Sequence, residues 1–394
     1  MTARTGAKPL ILRVLSRLAI GGVQNSVIET LACADRERFD FAVLCYKKAG
    51  KWAPRVEALD VPVHTQKALP EWDPYQIARL AQAIRRMGPD LVHIYMAPTV
   101  IVAASAARLA GVPRIVIHHN SLYADRHWAK RNALLNAWER RLTRDADTLI
   151  AVSRPVADCT RAWLGQASGE SPGLTGQIEV IPDGVNFERF SNPPAHDLHA
   201  ELGVNRVRPL VGLVARYLDV KRIEDFIEAA RIIGAEDLAP ESSKPVFIII
   251  GGGPEEIGSR LKAQARASAA HADIRFLGGR DDLPSLLPSL AVGVLCSEVE
   301  GCPNTILEYM CARVPIAATG IASIAEIIEA DRDALLSPAR DPAALARSVT
   351  RLLGEPELRD RLTLAAREKV KAYDWENTER AYEAIYARVL GLEE

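Results

Sequence analysis

The chain has 394 residues, 48% of them apolar and 25% charged, which suits a globular protein of two domains. With 49 basic and 50 acidic residues the formal net charge is -1, so no whole-chain field favours nucleic acid as a partner. The six cysteines form no CxxC pair, the opening MTARTGAKP has no signal-peptide apolar core, and no apolar run approaches the roughly 20 residues that span a bilayer, so reduced thiols and a cytoplasmic location are expected.

From the N-terminus onward, short apolar runs alternate with amphipathic stretches. ILRVLS (11–16), FAVLC (41–45), LVHIY (91–95), RIVIHH (114–119) and TLIAVS (148–153) are predicted as buried parallel strands, with helical patterns such as 75–87 and 99–110 between them. The segment 165–177 is small and polar and is predicted as a surface loop. After Pro193-Pro194 the pattern restarts. VGLVA (211–215), VFIII (246–250), DIRFLG (273–278) and VGVLC (292–296) are the strands of a second series, with helices near 221–234, 254–270 and 303–312. Such βαβ series build doubly wound parallel sheets. The expected fold class is therefore α/β, with two Rossmann-like domains facing across a cleft. These are residues 1–190 and 191–374, joined at Asn192-Pro193-Pro194, where proline interrupts regular structure. A last helix near 375–391 aligns Trp375, Tyr382, Ile385, Tyr386 and Val389 on one face. Periodicity alone lets it pack on either domain.

Ligands of open α/β sheets collect at the carboxyl ends of strands, so residues that follow strands are the candidates. Gly21-Gly22, between the first strand and a helix, would let backbone approach a phosphate; a plain tight turn is the competing reading. His118-His119-Asn120-Ser121 ends RIVIHH. His119 there can donate to a sugar or phosphate oxygen, or can be a buried structural histidine. Arg216 and Lys221 follow VGLVA and could neutralise a diphosphate; a solvated loop is the alternative. Gly251-Gly252-Gly253-Pro254 imitates a dinucleotide fingerprint, but Glu256 holds the third glycine position and the next strand ends Phe276-Leu277-Gly278-Gly279 without an acid. A nicotinamide site is disfavoured, and Gly253 leaves room for a flat base or a close backbone.

The sharpest feature is EGCPNTILE, Glu300 to Glu308. Pro303 suits the first helical position, which would leave the N–H groups of Asn304 and Thr305, after Gly301, open to an anion. Glu308 is one turn past Asn304 and can accept two hydrogen bonds from vicinal hydroxyls, as on a ribose; Glu300 can reach hydroxyls on the other side, as on a sugar. Asp145-Ala146-Asp147 and Asp331-Arg332-Asp333 mimic a metal-binding DxD, but the first precedes a buried strand and the second sits in a turn. Both are read as structural, and no metal or other cofactor is expected. The stretch 126–144 holds six Lys/Arg and one Glu, with Trp128 and Trp138. It is either a solvated helix face or a surface that skims an anionic membrane, which would place the protein peripherally at the inner face.

Taken together these pieces resemble family 4 of the retaining glycosyltransferases, which have the GT-B fold. EGCPNTILEYMCARVPIAATG is similar to that family's E-x7-E signature, and Gly21-Gly22, ADTLIAVS (146–153), VIPDGVNFERF (180–190), VARYLDVKR (214–222), IIIGGGP (248–254) and FLGGRDD (276–282) follow in the matching order. The resemblance implies that Gly22 approaches the donor diphosphate, Arg216 and Lys221 hold it, Glu308 binds the ribose and Glu300 the transferred sugar. It implies that backbone at Gly301, Asn304 and Thr305 completes the phosphate site, that His119 is the family's cleft histidine, and that the final helix, 375–394, returns to the first domain. Asp183 stands where Asn is usual and Gly320 where Asp is frequent, and the turn after Gly320 lacks the usual glycine pair and proline.

The expected partners are a nucleotide-sugar donor, with uridine favoured by the family, and a glycan or lipid-linked acceptor. Acceptor contacts are expected from Tyr46–Lys51, Tyr95–Thr99 and Asn120–Arg126. A nucleotide-sugar epimerase of the same fold, and a nucleotide-sugar binding protein without chemistry, are the rival functions.

Overall fold

The structure is a computed structural model, described for residues 8–66, 74–122, 133–165, 177–235 and 243–392. The chain divides into two compact units, residues 1–184 with 375–394, and residues 185–374.

The first unit is built on seven parallel strands: β1 (Leu10–Leu15), β2 (Asp40–Cys45), β3 (Val63–Thr65), β4 (Leu91–Tyr95), β5 (Arg114–His119), β6 (Thr148–Ala151) and β7 (Ile178–Val180). They lie in the order β3-β2-β1-β4-β5-β6-β7. Successive side chains of a strand point to opposite faces. Leu12 and Val14 accordingly join a core with Leu80, Ile84 and Val100, while Ile11 and Leu15 join one with Val27, Leu31, Tyr382, Ile385 and Tyr386. The second of these cores is roofed by the helices Gly22–Cys33 and Trp375–Leu390, so the final helix completes the first unit. Polar groups pin it there. Arg13, fully buried in the centre of β1, donates to Thr30 Oγ1 at 2.7 Å and to Glu379 Oε1 at 2.5 Å, and Tyr386 Oη lies 2.7 Å from His93 Nδ1.

The second unit has six parallel strands: β8 (Leu210–Val214), β9 (Val246–Ile250), β10 (Asp273–Gly278), β11 (Val292–Leu295), β12 (Ile316–Thr319) and β13 (Leu335–Ser337). Their order, β10-β9-β8-β11-β12-β13, is the doubly wound one. Its reversal falls between β8 and β11, where the connections from the two strands leave in opposite directions and open a ligand crevice.

The boundary between units falls at 184/185, earlier than the 190/191 read from the proline pair. Val185 bridges Asp374, and Phe187 and Phe190 pack into the second unit's core, so the chain has changed units before Pro193. Four strands are absent from the sequence reading: β3, β7 and β13 have three residues and β12 has four, too short to show a period. In the loop read at 165–177, residues 166–176 lie outside the described residues.

Candidate functional site

The carboxyl ends of β8 and β11 carry the sharpest candidates. Past β8 the chain makes a short 3-10 turn, Asp219–Lys221, and reaches Arg222 at φ 51, a left-handed conformation uncommon outside glycine. Arg222 turns its guanidinium onto Asp225 and Glu224, at 2.7 and 2.9 Å. Lys221 points the other way, and its Nζ donates to both carboxylate oxygens of Glu300 at 2.6 Å. Ser297, two residues past the end of β11, donates its hydroxyl to Glu300 Oε1, also at 2.6 Å. Glu300 is 8% exposed and Lys221 17%. The two loops are knit together: Glu298 N–H donates to Val220 O at 2.9 Å, and the Cys296 thiol lies 3.3 Å from Lys221 O. Arg216 is exposed, and among the described residues its guanidinium has no partner.

The glycine run after β9 explains where Arg216 sits. A Cβ on Gly251 would lie 1.8 Å from Ala215 O, and one on Gly253 would lie 2.6 Å from both Cβ and O of Tyr217. Tyr217 N–H donates to Gly252 O at 2.9 Å. Of the two readings of Gly253, a flat base or a close backbone, the close backbone is present: glycines let the segment Ala215–Tyr217 lie flat on this turn.

The helix after β11 spans Asn304–Cys311, and Pro303 is its N-cap rather than its first residue. The expected pair of open N–H groups is therefore corrected. Asn304 N–H donates to Cys302 O at 3.0 Å and Ile306 N–H to Pro303 O at 2.8 Å, whereas the Thr305 N–H has no acceptor among the described residues. Proline at 303, with ψ 79, stops the backbone short of helical geometry until Asn304. Thr305 Oγ1 reaches back to Val214 O at 3.4 Å, and Tyr309 anchors the next turn, its hydroxyl accepting from Val214 N–H and donating to Gly212 O, each at 3.2 Å. Glu308 follows on the same helix. Protein packed around its carboxyl pushes its pKa up to about 7 by desolvation, with a smaller opposing pull from the Arg189 guanidinium. Gly301, Asn304, Thr305, Glu300, Glu308, Arg216 and Lys221 thus share one end of one sheet.

The remaining candidates lie in the first unit. Gly21 is the N-cap of the helix Gly22–Cys33, and its φ of 171 is extended backbone open to any residue. A Cβ there would meet only the flexible end of Gln24. His118 and His119 close β5 and are buried, and desolvation lowers each to about 3, so both imidazoles are neutral. Asp183, at the position where Asn is usual, accepts from Ser26 Oγ at 2.9 Å. The two Asp-x-Asp stretches are engaged structurally. Asp147 accepts from Ile115 N–H at 2.8 Å and pairs with Arg114, Asp145 pairs with Arg141, and Asp333 pairs with Lys369 at 2.8 Å. In the basic stretch, residues 126–132 lie outside the described residues. The helix Ala133–Arg144 exposes Leu134 (77%) and Trp138 (41%). Among the described residues no helix is long and apolar enough to cross a membrane.

Sequence reasoning passed over Ser297 and Thr319. Ser297 is wholly buried and is itself held by Thr319, at the end of β12, whose hydroxyl donates to Ser297 O at 2.6 Å. The available signal was position, since each follows or ends a central strand.

The sequence matches two family descriptions, "Glycosyltransferase Family 4" over residues 20–189 and "Glycosyl transferases group 1" over residues 208–355. The chain belongs to glycosyltransferase family 4. This family 4 glycosyltransferase is similar to the UDP-Gal:alpha-D-GlcNAc-diphosphoundecaprenol alpha-1,3-galactosyltransferase of Escherichia coli, at 27% identity over 90% of each chain. It is similar to the phosphatidyl-myo-inositol mannosyltransferase of Mycobacterium leprae, at 25% identity over 90% of each. Its structure matches that of Anabaena HepE in complex with UDP and glucose, with a TM-score of 0.82 over 96% of this chain and 100% of the other, at 19% identity, a likeness of fold. The glycosyltransferase has the GT-B fold, two α/β units on parallel sheets, and its activity is glycosyl transfer.

Proposed function

We propose that the enzyme moves a hexose-type sugar from a UDP-sugar to a hydroxyl of a glycan or lipid-linked acceptor, with retention of configuration and without a metal ion. The observation that carries this reading is the group Lys221, Glu300 and Ser297 beside the start of the helix Asn304–Cys311, with Glu308 one turn on. Glu308 takes the ribose hydroxyls and Glu300 the hydroxyls of the transferred sugar. The diphosphate lies between them, against Arg216, Lys221 and the open Thr305 N–H, with Gly301 and Asn304 lining it. A Cβ at Gly21 would displace only the flexible end of Gln24, which supports a close-approach role for this Gly21-Gly22 turn.

Cleavage of the sugar–phosphate bond leaves negative charge on the diphosphate and positive charge on the anomeric carbon. Arg216, Lys221 and the helix start supply the positive charge that meets that negative charge, the role a divalent ion fills in other transferases; losing one such group costs on the order of 10²–10³ in rate. The acceptor attacks from the face the leaving group vacates, and a departing phosphate oxygen takes the acceptor proton, so Glu300 positions the sugar without becoming covalently bonded. His119, neutral at the end of β5, serves as a donor to a substrate oxygen rather than as a cation.

The names of the two relatives support the acceptor class, since one acts on a diphosphoundecaprenol-linked sugar and the other on phosphatidyl-myo-inositol. Exposed Leu134 and Trp138 on an arginine-bearing helix support peripheral contact with an anionic membrane. A panel of nucleotide sugars in a thermal-shift screen, followed by hydrolysis assays with and without EDTA and by NMR of the product anomer, tests the donor, the metal and the stereochemistry. Near-normal turnover by Glu300→Gln would overturn the site assignment.

A further inference from the structure

Resting on that reading of the donor site, we infer that Ser297 is the positioning residue that holds the Glu300 carboxylate toward the sugar once donor binding draws Lys221 away. In the structure the two groups assigned to different halves of the donor hold each other: Lys221 Nζ bonds both oxygens of Glu300 at 2.6 Å. A diphosphate is a stronger anion than a carboxylate and competes for that ammonium. When Lys221 turns to it, Glu300 loses its cation while remaining almost entirely buried, and a buried carboxylate left without donors is costly.

The described residues give Glu300 one other side-chain donor, the Ser297 hydroxyl at 2.6 Å on Oε1. Ser297 is fully buried, so water cannot replace it. Its backbone is fixed in turn by the Thr319 hydroxyl, which donates to Ser297 O at 2.6 Å, and Thr319 is the last residue of β12. The line Thr319–Ser297–Glu300 therefore runs from a central strand to the carboxylate without passing through Lys221. It leaves Oε2 open for a sugar hydroxyl when Lys221 departs. Ser297 touches neither donor nor acceptor in this arrangement; it acts through Glu300.

The test is calorimetric titration of the wild type, Ser297→Ala, Ser297→Thr, Thr319→Val and Glu300→Gln with UDP and with UDP-glucose, alongside donor hydrolysis. Loss of a hydrogen bond to a charged group is expected to weaken UDP-glucose binding by roughly tenfold to a hundredfold in Ser297→Ala while UDP binding stays within about twofold. Ser297→Thr, which keeps the hydroxyl, restores the sugar-dependent part. Thr319→Val moves in the same direction as Ser297→Ala by a smaller factor and remains readable if Ser297→Ala does not fold. Equal weakening of UDP and UDP-glucose in Ser297→Ala marks a merely structural residue and overturns the inference. Selective loss in Glu300→Gln with none in Ser297→Ala or Thr319→Val overturns it while leaving the donor-site reading intact. No selective loss in Glu300→Gln overturns that reading and the inference with it. A wild type that binds neither probe overturns the uridine donor, and the same five proteins are then read with GDP and GDP-mannose.

Discussion

Arg13 and Glu379 form an ion pair sealed inside the first unit, 2.5 Å apart, with the side chains 0% and 1% exposed. One comes from the first strand of the chain and the other from its last helix, and Thr30 accepts a second hydrogen bond from the same guanidinium. Removing one partner of such a pair leaves an uncompensated buried charge, which costs about 3–5 kcal/mol. Glu379→Leu is expected to destabilise the first unit by that amount in urea denaturation. The double variant Arg13→Met/Glu379→Leu is expected to lie well above Glu379→Leu in stability, since it carries no buried charge. A double-variant loss equal to the sum of the Arg13→Met and Glu379→Leu losses would mean that the residues act independently.

Gly253 and Gly252 are neighbours with opposite tolerances. A methyl at 253 meets the Tyr217 carbonyl oxygen at 2.6 Å, whereas one at 252 meets nothing within 4 Å. Gly253→Ala is expected to cost about 1–3 kcal/mol through overpacking and to lower turnover by shifting the segment that carries Arg216. Gly252→Ala is expected to leave both unchanged. Melting curves and initial rates on the two proteins decide it.

Glu308 has its carboxyl raised to about 7 by burial, so in the free protein it is largely protonated below that pH. In the proposed ribose complex, hydrogen bonds donated by the hydroxyls would favour the ionised form and lower the pKa. Nucleotide affinity should therefore rise with pH up to about 7 and level off above it, with a proton released on binding at pH 6. Calorimetry at pH 6 in buffers of different ionisation enthalpy counts that proton. Glu308→Gln should abolish both the release and the pH dependence.

His118 and His119 sit at about 3 because burial disfavours their charged forms. Neither imidazole is expected to titrate between pH 5 and 8, so a pH–rate profile should carry no limb from them. Two-dimensional NMR of histidine-labelled protein follows both rings, and a midpoint near 6.5 at either one would contradict the buried neutral state.

The sequence announced the sheets through runs such as RIVIHH and VFIII because central parallel strands are apolar on both faces, which leaves a continuous signal. The placement of Glu300 and Glu308 around a helix start was legible because their spacing is local. What it hid is non-local. Arg13 reads as a charged residue in a strand, and nothing near it in sequence names Glu379 as its partner. Ser297 reads as a small residue after a strand, and only tertiary placement puts its hydroxyl on Glu300. Pro303 was legible as a helix-start residue but its position was off by one, since whether proline caps a helix or begins it depends on a ψ angle that sequence does not set.

The helix Trp375–Leu390 roofs the core of the unit that the chain begins with. During synthesis, residues 185–374 leave the ribosome as an unbroken stretch and hold everything their own unit needs. The earlier-made unit must wait for Tyr382, Ile385 and Tyr386, and until they emerge, Arg13 is a charge on an uncovered sheet. Order of manufacture and order of completion are thus reversed, and a chain cut after residue 374 would carry all of the second unit and an unfinished first.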